Sequence, residues 1–379
     1  MNNFRINRVP PIPSKEGNTI KKVIFILLPL LLIAQEFLKD ETYLIPYRMG
    51  EKYGYCNFKK VLKIPCSYDI AFPFSEEELA RVGIKEKFGL IDREGKIVLP
   101  AIYDDIGNFE CGHCLVVKDN KFGFANRKGK IVIDLKYDDA LFFSEGLAVV
   151  GIQGRYGYID TLGNTIIDFK FEAAAPFLNG YALVKYNGKF GFIDRKGKFV
   201  VEPIYDAGGL FMNGIAPVGK NGKYGYIDTL GKVYIDLIYD GVSEVGDNIM
   251  KLKTPEEVIF LRRDKSKINT AHYDDAMQFS EGLAVVIKNN KFGYIDTSGK
   301  EVIPLKFDEA HSFYKGYAVV RLGDDWGVID RNGNYVVNPS YQLIIPPEIA
   351  KFPKGLFFVA KKGHMVGYVD VYGNKYWEE

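Results

Sequence analysis

The chain of 379 residues has little of several residue types that commonly carry chemistry. It contains four cysteines, four histidines and two tryptophans. Its fold therefore cannot depend on a dense disulfide framework, and a metal site would have few soft ligands to draw on. The net charge of +2, from 50 basic and 48 acidic side chains, provides no field that would gather phosphate groups. We therefore expect no nucleic-acid partner.

The chain also lacks an apolar run long enough to cross a membrane comfortably. The uninterrupted run Val23 to Ala34 spans only about 18 Å as a helix, against a hydrocarbon core of about 30 Å. Basic residues precede it and Gln35 and Glu36 end it, which is typical of a signal sequence. The basic residues are Arg5, Arg8, Lys15, Lys21 and Lys22.

Residues 1–40 are therefore interpreted as a signal or anchor segment, and residues 41–379 as the folded part. Leu32-Ile33-Ala34 is a poor cleavage site because a bulky residue stands where a small one is preferred. A cleaved signal, an uncleaved anchor that associates with the membrane through Val23–Ala34, and a plain buried helix all remain open. We expect export to the periplasm, the cell envelope or the medium.

What the chain has in abundance is glycine and aromatic residues, with 39 Gly, 25 Tyr and 27 Phe. This mixture favours short strands packed through rings and joined by tight turns. Dipeptides of an aromatic residue and glycine recur about every 34 residues, which predicts ten copies of one β-repeat. The copy between Gly225 and Gly293 has lost the dipeptide, and its eroded part covers about residues 247–273. The glycines of the dipeptides, the last of them after valine, are Gly54, Gly89, Gly123, Gly157, Gly191, Gly225, Gly293, Gly327 and Gly367.

Each copy is predicted to hold three strands, for example residues 181–186, 190–194 and 198–201. Asn187-Gly188 signals a hairpin, and Asp194 to Gly197 signals a second turn. A segment such as residues 137–146 reads as a connector between copies. Glycine weakens a strand unless another group approaches its backbone, so we expect a neighbouring ring to lie over Gly191.

A single 34-residue unit cannot bury enough apolar surface to fold alone, so the copies must stack and share a core. We expect an all-β open solenoid or superhelix of three-stranded antiparallel units. The alternative is a closed array like a β-propeller, whose blades usually have four strands and number four to eight.

The repeat pattern is aromatic-Gly, a hydrophobic-Asp pair, x-x-Gly-Lys, Tyr-Asp and Phe-x-x-Gly. It resembles the bacterial WG-repeat family from about Tyr43 to Trp377, although only Trp326-Gly327 shows the dipeptide literally. The resemblance implies bacterial, often exported proteins built of β-repeats, with no reaction attached to the repeat.

The motif Cys111-Gly112-His113-Cys114 matches the active-site tetrapeptide of protein disulfide isomerases. A redox motif of this kind needs its first sulfur at a helix N-terminus, whereas here the repeat register places it on a connector that leads into a strand. We expect packing or a local disulfide, with redox or metal chemistry as the alternative. No second ligand pair completes a zinc site, so no metal is predicted.

Paired carboxylates can hydrolyse glycosidic bonds, and aspartates are frequent in this chain. Their recurrence at the same turn in nearly every copy indicates a structural role, because catalysis needs one special constellation. We therefore predict no catalytic residue and no cofactor.

A special site is expected where the repeat pattern breaks down. The eroded copy carries the basic residues Arg262, Arg263, Lys265 and Lys267, which form a candidate binding patch for an acidic protein or a glycan. The alternative is that this copy tolerates substitutions and has lost the signature residues without gaining a function. The aromatic slots are expected to be core rings, with sugar-stacking platforms as the minority interpretation.

The predicted function is a non-catalytic, exported or envelope-associated scaffold that binds protein or glycan. The alternatives are a thiol oxidoreductase using Cys111 and Cys114, a glycan-acting enzyme using aspartates, and a structural spacer.

Overall fold

The computed structural model describes residues 42–243, 246–270, 272–346, 355–361 and 364–378. Within these ranges the chain forms strands and turns and no helix, as expected for an all-β protein. Accordingly, no helix in this part of the chain could span a membrane. The predicted signal or anchor segment, residues 1–40 with Val23–Ala34, lies outside the described residues.

The chain divides into two compact units. Of the described residues, the first unit combines those up to Phe74 with those from Lys306 onward, and the second comprises those from Ser75 to Leu305.

The strands form ten modules that follow one another along the chain. In chain order, module 1 comprises β1 (Ile45–Met49), β2 (Lys52–Cys56) and β3 (Leu62–Tyr68); module 2, β4 (Ile70–Ala71), β5 (Ala80–Ile84), β6 (Lys87–Ile91) and β7 (Ile97–Tyr103); module 3, β8 (Asp105–Glu110), β9 (His113–Lys118), β10 (Lys121–Asn126) and β11 (Ile131–Tyr137); module 4, β12 (Asp139–Ser144), β13 (Leu147–Ile152), β14 (Arg155–Asp160) and β15 (Thr165–Phe171); module 5, β16 (Ala173–Ala174), β17 (Tyr181–Tyr186), β18 (Lys189–Asp194) and β19 (Phe199–Tyr205).

The remaining modules continue the series. Module 6 comprises β20 (Ala207–Gly208), β21 (Ile215–Lys220), β22 (Lys223–Asp228) and β23 (Val233–Tyr239); module 7, β24 (Gly241–Val242), β25 (Ile249–Lys253), β26 (Val258–Arg262) and β27 (Lys267–Ile268); module 8, β28 (Asp275–Ala276), β29 (Leu283–Lys288), β30 (Lys291–Asp296) and β31 (Glu301–Phe307); module 9, β32 (Glu309–Ala310), β33 (Tyr317–Leu322), β34 (Asp325–Asp330) and β35 (Tyr335–Tyr341); module 10, β36 (Leu343–Ile344), β37 (Leu356–Lys361) and β38 (His364–Asp370).

The prediction of three-stranded units is wrong for most modules. In modules 3 to 7 and in module 9, four antiparallel strands are hydrogen-bonded in chain order. The extra strand comes from the predicted connector, which folds back as a hairpin. In module 4 this hairpin turns at Glu145 and Gly146, whose φ angles are +51° and +79°, and β12 pairs with β13. Two consecutive positive φ angles are the geometry of a tight hairpin turn.

The predicted hairpin at Asn187-Gly188 is confirmed, with φ angles of +50° and +77° between β17 and β18. The explanation offered for the middle-strand glycine is wrong. A Cβ atom on Gly225 would lie 2.4 Å from the carbonyl oxygen of Ile235 on β23. The backbone of the fourth strand, rather than a ring, occupies the space above the glycine.

The same close approach recurs, always to the carbonyl of the residue ten positions later. The corresponding separations run from 2.3 to 2.7 Å at Gly54, Gly89, Gly123, Gly157, Gly191, Gly293 and Gly327. At these distances any side chain would collide with backbone, so the third strand requires glycine at this position.

Module 7 shows what happens without that glycine. Ile259 occupies the slot, and the fourth strand β27 shrinks to two residues, against seven in β19 and β23. The turn before it survives nevertheless. Lys265 takes the positive φ that glycine supplies elsewhere, at +68°, and the Asp264 carboxylate accepts the Ser266 N–H at 2.9 Å.

The hydrophobic cores of the second unit lie between modules rather than inside them. One core joins Val149 and Tyr158 of module 4 to Phe177 and Val184 of module 5. The buried Tyr158 hydroxyl donates to the carbonyl of Ala175 at 2.8 Å. A module therefore completes its core only with a neighbour, which is the behaviour of a repeat protein.

Acidic residues at the junctions connect successive modules. Asp138, between β11 and β12, accepts a hydrogen bond from Lys121 Nζ of module 3 at 2.6 Å. Its other oxygen accepts the Gln153 N–H of module 4 at 2.7 Å. Asp206 joins Lys189 of module 5 to the Asn221 N–H of module 6 in the same way.

Within the first unit, the two ends of the array contact each other. The Arg48 N–H donates to the Tyr376 carbonyl at 3.2 Å, and the Glu378 N–H donates to the Arg48 carbonyl at 2.9 Å. Ile45 and Tyr376 share one core. An open array would keep modules 1 and 10 apart, so the open solenoid is wrong for these ends. The contact agrees with the closed, propeller-like alternative.

We predict that Gly225→Ala lowers the free energy of unfolding by about 1–3 kcal/mol, because the new Cβ must displace backbone in a packed region. Gly241→Ala is the matched control, since a Cβ there would meet Lys253 Cβ at an ordinary 3.7 Å. Denaturant unfolding of both variants, followed by circular dichroism, checks this. Equal stability of the two variants would contradict the proposed close approach.

Candidate interaction surface on the turn face

The turn between the third and fourth strands, here called the tip turn, has a fixed backbone. In module 5 the carboxylate of Asp194 accepts the N–H groups of Lys196 and Lys198 at 2.9 and 3.0 Å. Gly197 supplies the left-handed position, with φ of +76°. Asp160, Asp228, Asp296, Asp330 and Asp370 accept equivalent pairs of N–H groups. The recurrent aspartates thus shape turns.

The electrostatic surroundings of Asp160 also suit a structural role. The Asn164 side-chain amide, together with backbone N–H groups, holds the pKa of the Asp160 carboxyl below its ordinary value. A general acid in glycoside hydrolysis needs the opposite shift, because it must keep its proton near neutral pH.

Tip turns of the second unit are packed onto the preceding module. A Cβ on Gly197 would lie 2.9 Å from the Ile167 side chain, and one on Gly163 would lie 3.4 Å from Ile133. Arg195, the second residue of its tip turn, contacts Glu145 of module 4 at 3.5 Å. A tip turn therefore lies beside the turn that joins the first two strands of the preceding module. We call the side of the second unit that carries these turns the turn face.

Arg263 of the predicted basic patch occupies the same slot as Arg195. Its Nη2 donates to the Asn213 carbonyl at 3.0 Å, and its guanidinium lies 4.5 Å from the centre of the Tyr234 ring. The Tyr234 hydroxyl in turn donates to the Arg263 carbonyl. These contacts give Arg263 a structural role in joining module 7 to module 6.

Of the other basic residues of the candidate patch, one shares the partner of Arg263 and two have partners of their own. Lys265 Nζ lies 4.5 Å from the centre of the Tyr234 ring, so the structure brings Lys265 together with Arg263. Lys267 Nζ binds Glu257 at 2.9 Å. Arg262 reaches the other way, to the Thr297 carbonyl of module 8 at 3.3 Å.

The Cys-Gly-His-Cys motif forms the hairpin turn between β8 and β9. Cys111 is exposed with φ of +51°, whereas Cys114 is fully buried on β9. Burial raises the pKa of the Cys114 thiol to about 12, so this sulfur is a protonated thiol near neutral pH. Cys111, the first sulfur of the motif, lies in a hairpin turn rather than at the helix N-terminus that would activate it. Both are free thiols. Among the described residues no group of three or more His, Cys, Asp or Glu side chains could hold a metal ion.

The third residue of each tip turn is the part of the turn face that varies most freely. In modules 3 to 6 these residues are Lys128, Leu162, Lys196 and Leu230, which we call the tip row. Leu162 is 79% exposed and Leu230 is 85% exposed, and both lysines are exposed as well. The described part of the chain offers no hydrogen bond or ion pair to either lysine Nζ.

The tip row was not among the predicted site residues, although the sequence carries a signal for it. Residues 156–163 and 224–231 share the sequence Tyr-Gly-Tyr-Ile-Asp-Thr-Leu-Gly without change. Modules 3 and 5 both carry Phe-Gly-Phe and a tip turn that reads Arg-Lys-Gly. The sequence thus has a period of 68 residues in addition to the period of 34. Comparing the repeats one by one hides the longer period, because successive copies alternate between two types.

Comparison with known families identifies the repeat. The model of the WG containing repeat matches nine segments of the chain, in residues 53–249, 270–324 and 326–363. The chain belongs to this family. The gap at residues 250–269 falls on module 7, where Ile259 replaces the glycine of the motif. No curated protein matches the sequence.

Solved structures resemble the chain in fold. A eukaryotic initiation factor aligns with a TM-score of 0.52 at 12% identity, covering 77% of this chain and 94% of that one. PorZ, a surface component of the type-IX secretion system of Porphyromonas gingivalis, aligns with a TM-score of 0.31 at 10% identity, over 86% of this chain and 50% of its own. Hsv2 of Kluyveromyces lactis gives a TM-score of 0.31 at 9% identity, over 69% and 93%. The first of these supports a shared fold and nothing more.

We predict that native alkylation at pH 8 labels Cys111 and leaves Cys114 unmodified. The raised pKa keeps the Cys114 thiol protonated, and its contribution to stability is complete below pH 9 and lost as the pH rises towards 12. Iodoacetamide labelling read by peptide mass spectrometry, with a denatured sample as control, checks this. Insulin reduction that disappears in Cys114→Ser would revive the oxidoreductase.

We also predict that Arg263→Ala lowers the free energy of unfolding by about 1–2 kcal/mol, because it removes a hydrogen bond and a cation–π contact. Arg262→Ala, which removes one long hydrogen bond from an exposed side chain, should cost less than about 0.5 kcal/mol. Thermal unfolding of the pair tests this. If Arg263→Ala kept full stability but lost partner binding, the basic patch would be the site.

Proposed function

We propose that the chain is an exported, non-catalytic scaffold that binds a protein partner on its turn face. One observation carries the proposal. In modules 3 to 6 an aspartate or asparagine and a glycine hold the tip turn in one conformation. The exposed third position of the same turns changes between lysine, at Lys128 and Lys196, and leucine, at Leu162 and Leu230. A constant frame that displays variable, solvent-exposed side chains is the arrangement of a binding surface.

Support for a non-catalytic role comes from the residues that could carry chemistry. The carboxylate of Asp194 is held in its turn by two backbone N–H groups, and equivalent aspartates are held in the same way. Cys111, the first sulfur of the Cys-Gly-His-Cys motif, lies in a hairpin turn rather than at a helix N-terminus.

A protein partner is favoured over a glycan because the aromatic slots belong to the cores. Three rings are less than one-tenth exposed, those of Tyr53, Phe122 and Phe190. The other five are half-buried, and they are Phe88, Tyr156, Tyr224, Phe292 and Trp326. A sugar-stacking platform must present the open face of its ring to solvent, and none of these eight side chains is exposed.

The proposal includes export and a closed array. Export rests on the layout of residues 1–40, in which basic residues precede the run Val23–Ala34. Closure is supported by the hydrogen bonds between Arg48 and the segment Tyr376–Glu378 within the first unit. Closing an array of sheets removes its unpaired ends, which would otherwise recruit other chains.

The test uses the full chain with a C-terminal tag, expressed in bacterial cells and cross-linked before fractionation. We expect the chain in the envelope or the medium, with its N-terminus defined by mass spectrometry, and a reproducible protein partner in the eluate. A parallel glycan array should show no binding. A chain that stays in the cytosol contradicts export, and the repeated absence of any protein partner contradicts the binding role.

A further inference from the structure

We propose that the tip row forms two equivalent subsites for a partner segment that carries both acidic and apolar side chains. One subsite pairs Lys128 of module 3 with Leu162 of module 4, and the other pairs Lys196 of module 5 with Leu230 of module 6. The proposal deepens the binding function proposed above and rests on it.

The leucines are not explained by the fold. The same tip-turn slot holds Glu94, Asp264, Ser298 and Asn332 in other modules, so a polar residue serves the turn equally well. The Leu162 and Leu230 side chains are four-fifths exposed. Their N–H groups bind Asp160 and Asp228, both at 2.9 Å, which fixes the backbone from which each side chain projects. Each leucine is thus presented to solvent at a defined place.

The repetition of the pair is a second, independent observation. Single exposed leucines are common on protein surfaces and need no explanation. Here, however, the whole octapeptide around the leucine recurs after 68 residues, and the lysine-bearing turn recurs with it. Modules 3 and 4 together therefore repeat as modules 5 and 6, and what repeats on the surface is one lysine followed by one leucine.

The charges around the row favour an acidic partner. The lysine at the fifth position of the turn adds an exposed ammonium group at Lys130, Lys198 and Lys232. The carboxylates of the same turns are directed inward, since Asp194 and Asp228 accept backbone N–H groups. The exposed side chains at the third and fifth positions of these tip turns are thus mainly cationic and apolar, so acidic and apolar side chains complement them.

The spacing of the row suggests a bivalent contact. Packed sheets lie about 10 Å apart, so equivalent subsites two modules apart are separated by about 20 Å or more. A partner that presents its acidic and apolar motif twice would bind both subsites, and the linked contacts would raise its apparent affinity.

The experiment measures binding of the full chain to fluorescent synthetic peptides by anisotropy. The probes are a peptide of repeated Glu-Glu-Leu-Ser, a matched peptide with serine in place of leucine, and a matched peptide with lysine in place of glutamate. We expect only the first to bind, and its binding to weaken as salt is raised. The double variant Leu162→Asp/Leu230→Asp and the double variant Lys128→Glu/Lys196→Glu should each weaken binding by more than about tenfold.

Matched controls separate binding from folding. Other modules carry aspartate at the tip, as Asp264 shows, so the leucine variants should keep the wild-type melting temperature. Ser298→Asp alters the equivalent slot of module 8 and should leave peptide binding unchanged. The two single leucine variants should weaken binding by similar factors, since the subsites are equivalent.

Several results would overturn the proposal: no binding of the acidic-apolar peptide, equal binding of all three peptides, or binding that the tip-row variants do not reduce. Tighter, leucine-dependent binding to vesicles of anionic lipid than to the peptide would assign the row to a membrane surface instead. Capture of a cellular protein partner that survives the tip-row variants would leave the scaffold function standing and reject only the tip row.

Discussion

The close approach between the fourth strand and the glycine of the third strand is the constraint on which the modules depend. In module 6 the Ile235 carbonyl oxygen lies 2.4 Å from the position that a Cβ on Gly225 would take, so the fourth strand pairs with the third too closely to admit a side chain there. The fourth strand then leads directly into the next module, where Asp240 follows β23 and precedes β24. In module 7, where Ile259 stands in the glycine slot, the strand β27 is only two residues long.

Much of this arrangement could be predicted from the sequence, because local turn chemistry is explicit in it. Asn187-Gly188 and the turn from Asp194 to Gly197 fold as their residue types indicate. The first strand was missed although two of its turns carry an explicit signal, Asn179-Gly180 in module 5 and Asn213-Gly214 in module 6. The strand before the turn is the reason, since β16 contains only Ala173 and Ala174 and is too short to show an alternating pattern.

The candidate site was harder to predict because the sequence does not show which charges are already paired. Arg262, Arg263, Lys265 and Lys267 form a conspicuous basic run, yet Arg263 packs on Tyr234 and Lys267 binds Glu257. Leu162 and Leu230 look like ordinary core leucines until the Asp160 and Asp228 turns place them at solvent-exposed tips. Likewise, contact between modules 1 and 10 depends on residues more than 300 positions apart, such as Arg48 and Tyr376, which no local pattern reveals.

Module 7 shows that the repeat signature and the structural unit are different things. The family model finds no match at residues 250–269, but β24 to β27 still form a four-stranded sheet there, and Phe260 and Ile268 still share a core with Phe279 of module 8. Packing against the neighbouring modules thus maintains the sheet of a copy whose sequence has diverged. Selection on such a copy acts on the residues that pack against the modules before and after it. The residues of the repeat signature can therefore be lost while the module itself is kept.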